Sequence, residues 1–141
     1  MSSLSVWTSK VGDVARKNVV SATADATLAE AARLMYTKGT GSVVVVSPEG
    51  KVIGIFTERD LSRVVADRVS YDSKLGDLMT KDPVTIRDDE PVTKAVELLS
   101  TRKIRHLPVV DREGRLVGII TARDIVDITE RYLASTGFVS E

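Results

Sequence analysis

The 141-residue sequence contains no cysteine. That excludes disulfides, thiolate metal sites and cysteine nucleophiles, and it fits a cytoplasmic location. His106 is the only histidine, so a multi-histidine metal site is excluded as well. Net charge is absent: 20 basic residues balance 20 acidic ones. No overall basic field recruits nucleic acid or an anionic membrane surface. Apolar runs are short, well below the ~20 residues that span a bilayer. The start, Met1 to Trp7, lacks a basic n-region and is not read as a signal peptide. Enzyme signatures are missing too. There is no Gly-x-x-x-x-Gly-Lys-Ser/Thr loop, and Gly39-Thr40-Gly41 lacks the third glycine of a dinucleotide fingerprint. No Gly-x-Ser-x-Gly elbow supports a triad. The sequence is read as non-catalytic, with no cofactor as catalyst.

What the sequence does have is an internal repeat. Lys10-Val11-Gly12-Asp13-Val14 returns as Lys74-Leu75-Gly76-Asp77-Leu78, a shift of 64 positions. The match continues without a gap to Leu61 against Ile125, and 18 of the 52 paired positions are identical. Two copies are too few for a solenoid, so the expectation is two related halves that bury one joint core, related by a pseudo-two-fold.

Each copy reads as strand, helix, strand, hairpin, strand, helix. Leu28, Ala31, Ala32 and Met35 fall at helical spacing, as do Val92, Ala95, Val96 and Leu99. Thr27 with Glu30 suits a capping box, and Pro91 suits a first turn. Val43 to Val46 and Leu107 to Val110 are apolar runs of strand length, buried on both faces. The turn sequences Ser47-Pro48-Glu49-Gly50 and Asp111-Arg112-Glu113-Gly114 follow, and then strands over 52–56 and 116–120. The last helix of each copy spans Glu58 to about Ala66, and Ala122 to about Tyr132. Residues 67–73 read as a linker, and 1–9 and 133–141 as loose terminal segments. The fold class is α/β (α+β), with two βαββα repeats packed sheet to sheet and helices outside.

The copies end on Gly54-Ile55-Phe56-Thr57-Glu58-Arg59-Asp60-Leu61 and Gly118-Ile119-Ile120-Thr121-Ala122-Arg123-Asp124-Ile125. With Asp82-Pro83-Val84 and Ile104-Arg105-His106-Leu107-Pro108-Val109-Val110-Asp111, these phrases resemble the cystathionine-β-synthase (CBS) domain. The resemblance covers residues 10–67 as a first copy and 74–132 as a second. Two in tandem resemble a Bateman module, which implies an adenosine-nucleotide sensor. AMP is the first expectation, with ADP or ATP behind it.

Thr-x-x-Asp at a strand-to-helix junction has two readings. It can be a helix cap alone, or its carboxylate can accept hydrogen bonds from two vicinal ribose hydroxyls. The resemblance implies the second: Asp60 and Asp124 hold ribose, with Thr57, Arg59, Thr121 and Arg123 beside them. Arg59 and Arg123 read equally well as solvated surface charges. Gly54 and Gly118 are read as close packing between strands rather than room for a ligand. Arg105-His106 faces Gly41-Ser42 in the alignment of the copies. The resemblance assigns Arg105 and His106 to the phosphate of the nucleotide held by Asp60, which makes the two sites unequal. For adenine it implies Arg16, Val20, Thr40 and Ile55 at the first site, and Thr80, Val84, Ile104 and Ile119 at the second.

Modules of this type pair as homodimers, and Leu61, Val64, Val65, Ile125 and Ile128 would supply that surface or else pack within one chain. A regulated protein partner is implied and not encoded. Two other functions stay open. One is a structural oligomerisation module with vestigial sites. The other is a module for S-adenosylmethionine or nucleic acid, the latter disfavoured by neutral charge.

Overall fold

The computed structural model describes residues 5–137. The chain forms two compact units. One comprises residues 18–84 with 112–116, and the other, among the described residues, 5–17, 85–111 and 117–137. The repeats in the sequence and the units in space therefore do not coincide. The segment that opens each repeat folds onto the other repeat.

The unit of residues 18–84 carries β1 (Ser21–Ala22), α3 (Leu28–Lys38), β2 (Ser42–Val46), β3 (Val52–Thr57), α4 (Glu58–Ala66), α5 (Leu75–Leu78) and β4 (Thr80–Lys81). Its sheet order is β1-β2-β3-β4. β1 lies parallel to β2, while β2–β3 and β3–β4 are antiparallel. The helix α3 begins where the sequence places it, since the Thr27 hydroxyl accepts the Glu30 N–H at 3.1 Å. It ends at Gly39, whose φ of 63° is the left-handed C-cap that glycine adopts without a Cβ clash. The core joins Leu28, Ala31 and Met35 of α3 to Val43, Val45, Phe56 and Val64. Leu75, from the opening segment of the second repeat, completes it fully buried. The linker 67–73 is ordered against this unit: the carbonyls of Ser73 and Tyr71 accept the Leu28 and Ala29 N–H groups.

The other unit carries α1 (Ser5–Thr8), α2 (Val11–Val14), β5 (Ile86–Arg87), α6 (Val92–Thr101), β6 (His106–Val110), β7 (Leu116–Thr121) and α7 (Ala122–Thr136). The sheet order is β5-β6-β7, with β5 parallel to β6. Val11 is its buried counterpart of Leu75. Two readings of the termini are corrected here. Residues 5–8 form a helix, and Trp7 packs edge-on against Tyr132 with ring centroids 6.0 Å apart. The last helix runs past Tyr132 to Thr136 and closes on Gly137 at φ 82°. Residues 1–4 and 138–141 lie outside the described residues. Among the described residues no helix is long and apolar enough to cross a membrane.

The exchange of opening segments is symmetric and rests on backbone hydrogen bonds. Val11 and Gly12 donate to the carbonyls of Glu90 and Asp88 at 2.7 and 2.9 Å. Leu75 and Gly76 donate to Ala26 and Ala24 at the same two distances. The acidic run Asp88-Asp89-Glu90 is thus a backbone platform as well as a solvated loop. Further along, Arg16 and Ile119 exchange both N–H···O bonds at 2.9 Å, and Ile55 pairs with Thr80 in β3–β4.

Gly118 and Gly54 mark how tightly these segments lie, as close packing requires. A Cβ on Gly118 would stand 3.0 Å from the Arg16 carbonyl and 3.1 Å from Ala15 Cβ. A Cβ on Gly54 would meet the Met79 side chain, the nearest atom being its Sδ. Backbone cannot yield as a thioether can. Gly118→Ala is therefore expected to cost about 1–3 kcal/mol of stability and Gly54→Ala less, as urea melts of the two variants will measure. Equal losses would mean that the Arg16 backbone gives way as readily as Met79.

Candidate ligand-binding site

Asp60 is the third residue of α4. Its Oδ2 accepts the Thr57 N–H at 3.0 Å and lies 3.3 Å from the Thr57 hydroxyl, while the Asp60 N–H returns to Thr57 Oγ1 at 3.5 Å. This is a capping box, closed on both sides. The second copy repeats it: Thr121 N–H to Asp124 Oδ2 at 2.9 Å, and Asp124 N–H to Thr121 Oγ1 at 3.2 Å. The capping reading therefore holds in both copies. It uses one oxygen of each carboxylate.

The other oxygen, Oδ1, meets different company in the two copies. At Asp60 it accepts the Thr80 hydroxyl at 3.2 Å, which also lies 3.4 Å from Oδ2. The Arg63 guanidinium stands 3.6 Å away and gives its own short bond, 2.7 Å, to the Leu78 carbonyl. At Asp124 it accepts Arg16 Nε at 2.8 Å, an ion pair. Both carboxylates are 13% exposed, while the Arg16 side chain is 61% exposed.

These contacts regroup the expected residues. Arg16 belongs with Asp124 and Ile119, not with Asp60. Thr80 belongs with Asp60 and Ile55, not with Asp124. The cause is the exchange of opening segments, which carries each of these residues to the other repeat. Val84 likewise falls in the unit of Asp60, at its edge. Val20 stays with the Asp60 unit, where it packs against the core and its carbonyl accepts the Val44 N–H. Thr40 is half-buried in the same unit, before β2. Ile55 and Ile119 are buried in their strands, and Ile104 is half-buried ahead of β6.

Of the cations, Arg59 lies in the unit of Asp60, whereas Arg123, Arg105 and His106 lie in the unit of Asp124, although the last two are expected at the Asp60 site. Arg59 is exposed at the first turn of α4. Arg123 is exposed and bonds Asp127 at 3.1 Å, one turn along α7. Arg105 is exposed just before β6, and its carbonyl accepts the Ala122 N–H at the head of α7. His106 opens β6, half-buried. The matching carbonyl of Gly41 accepts the Glu58 N–H, and Ser42 is buried with no hydrogen-bond partner for its hydroxyl among the described residues. Arg63 and the Arg16–Asp124 pair were missed by sequence reasoning. Arg63 aligns with Asp127, so the repeat itself hides it.

On α4 and α7 the structure separates the apolar residues proposed for dimerisation. Val64 and Ile128 are buried in their own units, Leu61 and Ile125 are half-buried, and Val65 is 62% exposed; Val126, which the sequence reading did not name, is 58% exposed.

A family model described as the CBS domain matches residues 11–67 and again 75–130. An uncharacterized protein of Methanopyrus kandleri is 41% identical over 128 residues, covering 89% of this chain and 65% of that protein. The chain thus spans slightly under two thirds of that relative. A CBS domain protein of Pyrobaculum aerophilum, solved in complex with AMP, is 27% identical with a TM-score of 0.80, covering 89% of this chain and 99% of that one. A CBS domain pair solved with 5′-methylthioadenosine and S-adenosyl-L-methionine is 28% identical with a TM-score of 0.80, covering 87% and 97%. With two family matches that account for most of its length and the same fold as solved pairs, this chain belongs to the CBS domain family and carries the domain twice in tandem.

Proposed function

We propose that this protein is a non-catalytic regulatory module that binds an adenosine ligand through Asp60 and Asp124, with AMP as the ligand. The observation that carries the reading is the division of labour within each carboxylate. Oδ2 is fixed by the capping box, which leaves a charged Oδ1 at the mouth of a helix N-terminus. Such an oxygen is held in one orientation and accepts charge-assisted hydrogen bonds, worth ~1.5–3 kcal/mol gross each. Vicinal ribose hydroxyls are the donors it fits. Solved relatives that hold AMP, or 5′-methylthioadenosine and S-adenosyl-L-methionine, support the adenosine part.

For the phosphate, the reading uses Arg105 and His106, a cation and an imidazole where the other copy has Gly41 and Ser42. Guanidinium matches phosphate as a fork. Arg59 and Arg123 assist in the role the resemblance gives them, as do the residues it gives to adenine, Val20, Thr40 and Val84 in the unit of Asp60 and Ile104 in that of Asp124. Binding then regulates a protein partner to the extent that the ligand prefers one of two states. The module pairs with a second copy through α4 and α7, where Val65 and Val126 are exposed. One specific observation favours a second ligand, S-adenosylmethionine, which is bound in a relative of equal structural similarity. It carries no phosphate and would leave Arg105 idle.

Two measurements test this. A thermal-shift screen with AMP, ADP, ATP, S-adenosylmethionine and 5′-methylthioadenosine should show stabilisation by AMP, ~2.7 kcal/mol at 100 times its dissociation constant. No shift from any of them at millimolar concentration would leave a structural module. Calorimetry on Asp60 variants then separates cap from ligand. Asp60→Asn keeps an acceptor for the cap and is expected to hold stability within about 0.5 kcal/mol while weakening AMP. Asp60→Ala should lose ~1 kcal/mol of stability in addition. Unchanged AMP affinity in both variants would defeat the ribose assignment.

Arg105→Ala should weaken AMP while leaving 5′-methylthioadenosine unaffected, since only the former carries phosphate. Equal losses for both ligands would return Arg105 to a structural role.

A further inference from the structure

The carboxylates of Asp60 and Asp124 are the same residue of the repeat, in the same capping box, with the same exposure. They differ in what bonds Oδ1. Position 80 is threonine and its counterpart 64 residues earlier, position 16, is arginine. Each is carried by the exchanged opening segment to the Oδ1 of the aspartate in its own compact unit, Thr80 at 3.2 Å and Arg16 at 2.8 Å. The backbone that delivers them is equivalent, the Ile55–Thr80 pair in one unit and the Ile119–Arg16 pair in the other.

We infer that Arg16 is a latch on Asp124: its guanidinium occupies the ribose-accepting oxygen, so that the Asp124 site fills only by displacing it and the Asp60 site fills first. This rests on the ribose role given above to the two aspartates.

The chemistry of the two neighbours decides the order. A threonine hydroxyl is neutral. It turns about its C–O bond, and it donates or accepts as an incoming ribose hydroxyl requires. Asp60 also has a cation nearby, but the Arg63 guanidinium stands farther off, at 3.6 Å, and the same nitrogen bonds the Leu78 carbonyl at 2.7 Å, so the direct hydrogen bond that a ribose hydroxyl displaces at Oδ1 is the neutral one from Thr80. A guanidinium only donates and holds its charge at every accessible pH. At Asp124 a ribose hydroxyl must replace a charged donor with a neutral one, and the bond it gains is offset by the ion pair it breaks. The displaced side chain has somewhere to go. A groove of about 940 Å³ opens against both residues, lined also by Asp13, Asp127 and Tyr132. The latch is limited in strength, since Arg16 is 61% exposed and such pairs are screened.

The test uses 5′-methylthioadenosine, which carries the ribose diol and no phosphate, so that ligand charge does not enter. In an Asp60→Asn background, calorimetry reads the Asp124 site alone. There Arg16→Thr is expected to tighten binding about two- to fivefold, the range for an ion pair with one exposed partner. With Arg16 present, affinity should rise between 0.05 and 0.5 M salt, at roughly threefold shorter screening length; in the Arg16→Thr variant it should stay flat. The converse change, Thr80→Arg in an Asp124→Asn background, should weaken the Asp60 site by a similar factor. Should Arg16→Thr fold poorly, Arg16→Met keeps the aliphatic stem and gives the same readout. If Arg16→Thr leaves binding unchanged or weaker while Asp124→Asn abolishes it, the latch is overturned and the ribose role stands. If Asp124→Asn has no effect either, the ribose role fails and the latch fails with it.

Discussion

Residues 10–17 and 74–81 seat themselves on the repeat they do not belong to, and the environment of both aspartates depends on that seating. It begins with two backbone hydrogen bonds at each segment, from Val11 and Gly12 and from Leu75 and Gly76. Gly12 and Gly76 make it sterically possible: a Cβ would lie 3.0 Å from the Asp88 carbonyl in one case and 3.0 Å from Ala24 Cβ in the other. The apolar residue before each glycine is fully buried, which is worth roughly 1.5–3 kcal/mol for a side chain of that size. The strand pairing beyond then has no freedom. Arg16 must lie beside Ile119 and Thr80 beside Ile55. A repeat that kept its own opening segment would put the arginine at Asp60 and the threonine at Asp124.

The observed cap and the proposed ligand binding are not competing explanations of the Thr-x-x-Asp phrase. The cap takes Oδ2 and the helix end needs no more from the carboxylate. The cap in turn fixes the side-chain torsions, so that Oδ1 is aimed before any ligand arrives. Pre-ordering of this kind lowers the entropy lost on binding. It also explains why a short acid is used. A glutamate in the same place would reach farther and lose more rotamer freedom when held.

Much of this was legible in the sequence. Helix α4 spans the residues expected of it, because Thr57 and Asp60 cap its start and the apolar pattern gives out after Ala66. The repeat and its resemblance led to the tandem fold, and to the class of ligand proposed above. The exchange was not legible, since Lys-x-Gly-Asp carries the same pattern whichever repeat it folds upon. Four-residue helices such as α2 and α5 have too few residues to show a period. Arg16 and Thr80 were assigned to the wrong aspartates for that reason and no other. The termini were misjudged because the edge-on contact of Trp7 with Tyr132 joins residues 125 positions apart, one from each end.

An internal repeat starts with two equal sites, and equality is broken most readily at positions that carry no packing. Arg16 is such a position. Its backbone is fixed between Ala15, Gly118 and Ile119, while its side chain is mostly in solvent. Threonine and arginine are therefore interchangeable there as far as the fold is concerned. They are not interchangeable to a carboxylate, which sees a neutral hydroxyl in one case and a permanent cation in the other. A difference of two- to fivefold in affinity between two sites corresponds to roughly 0.4–1 kcal/mol, too small to register in stability. Under the proposed latch it is enough to stagger the filling of the two sites, so that a module binding ligand at both would respond over a wider range of concentration than one with equal sites.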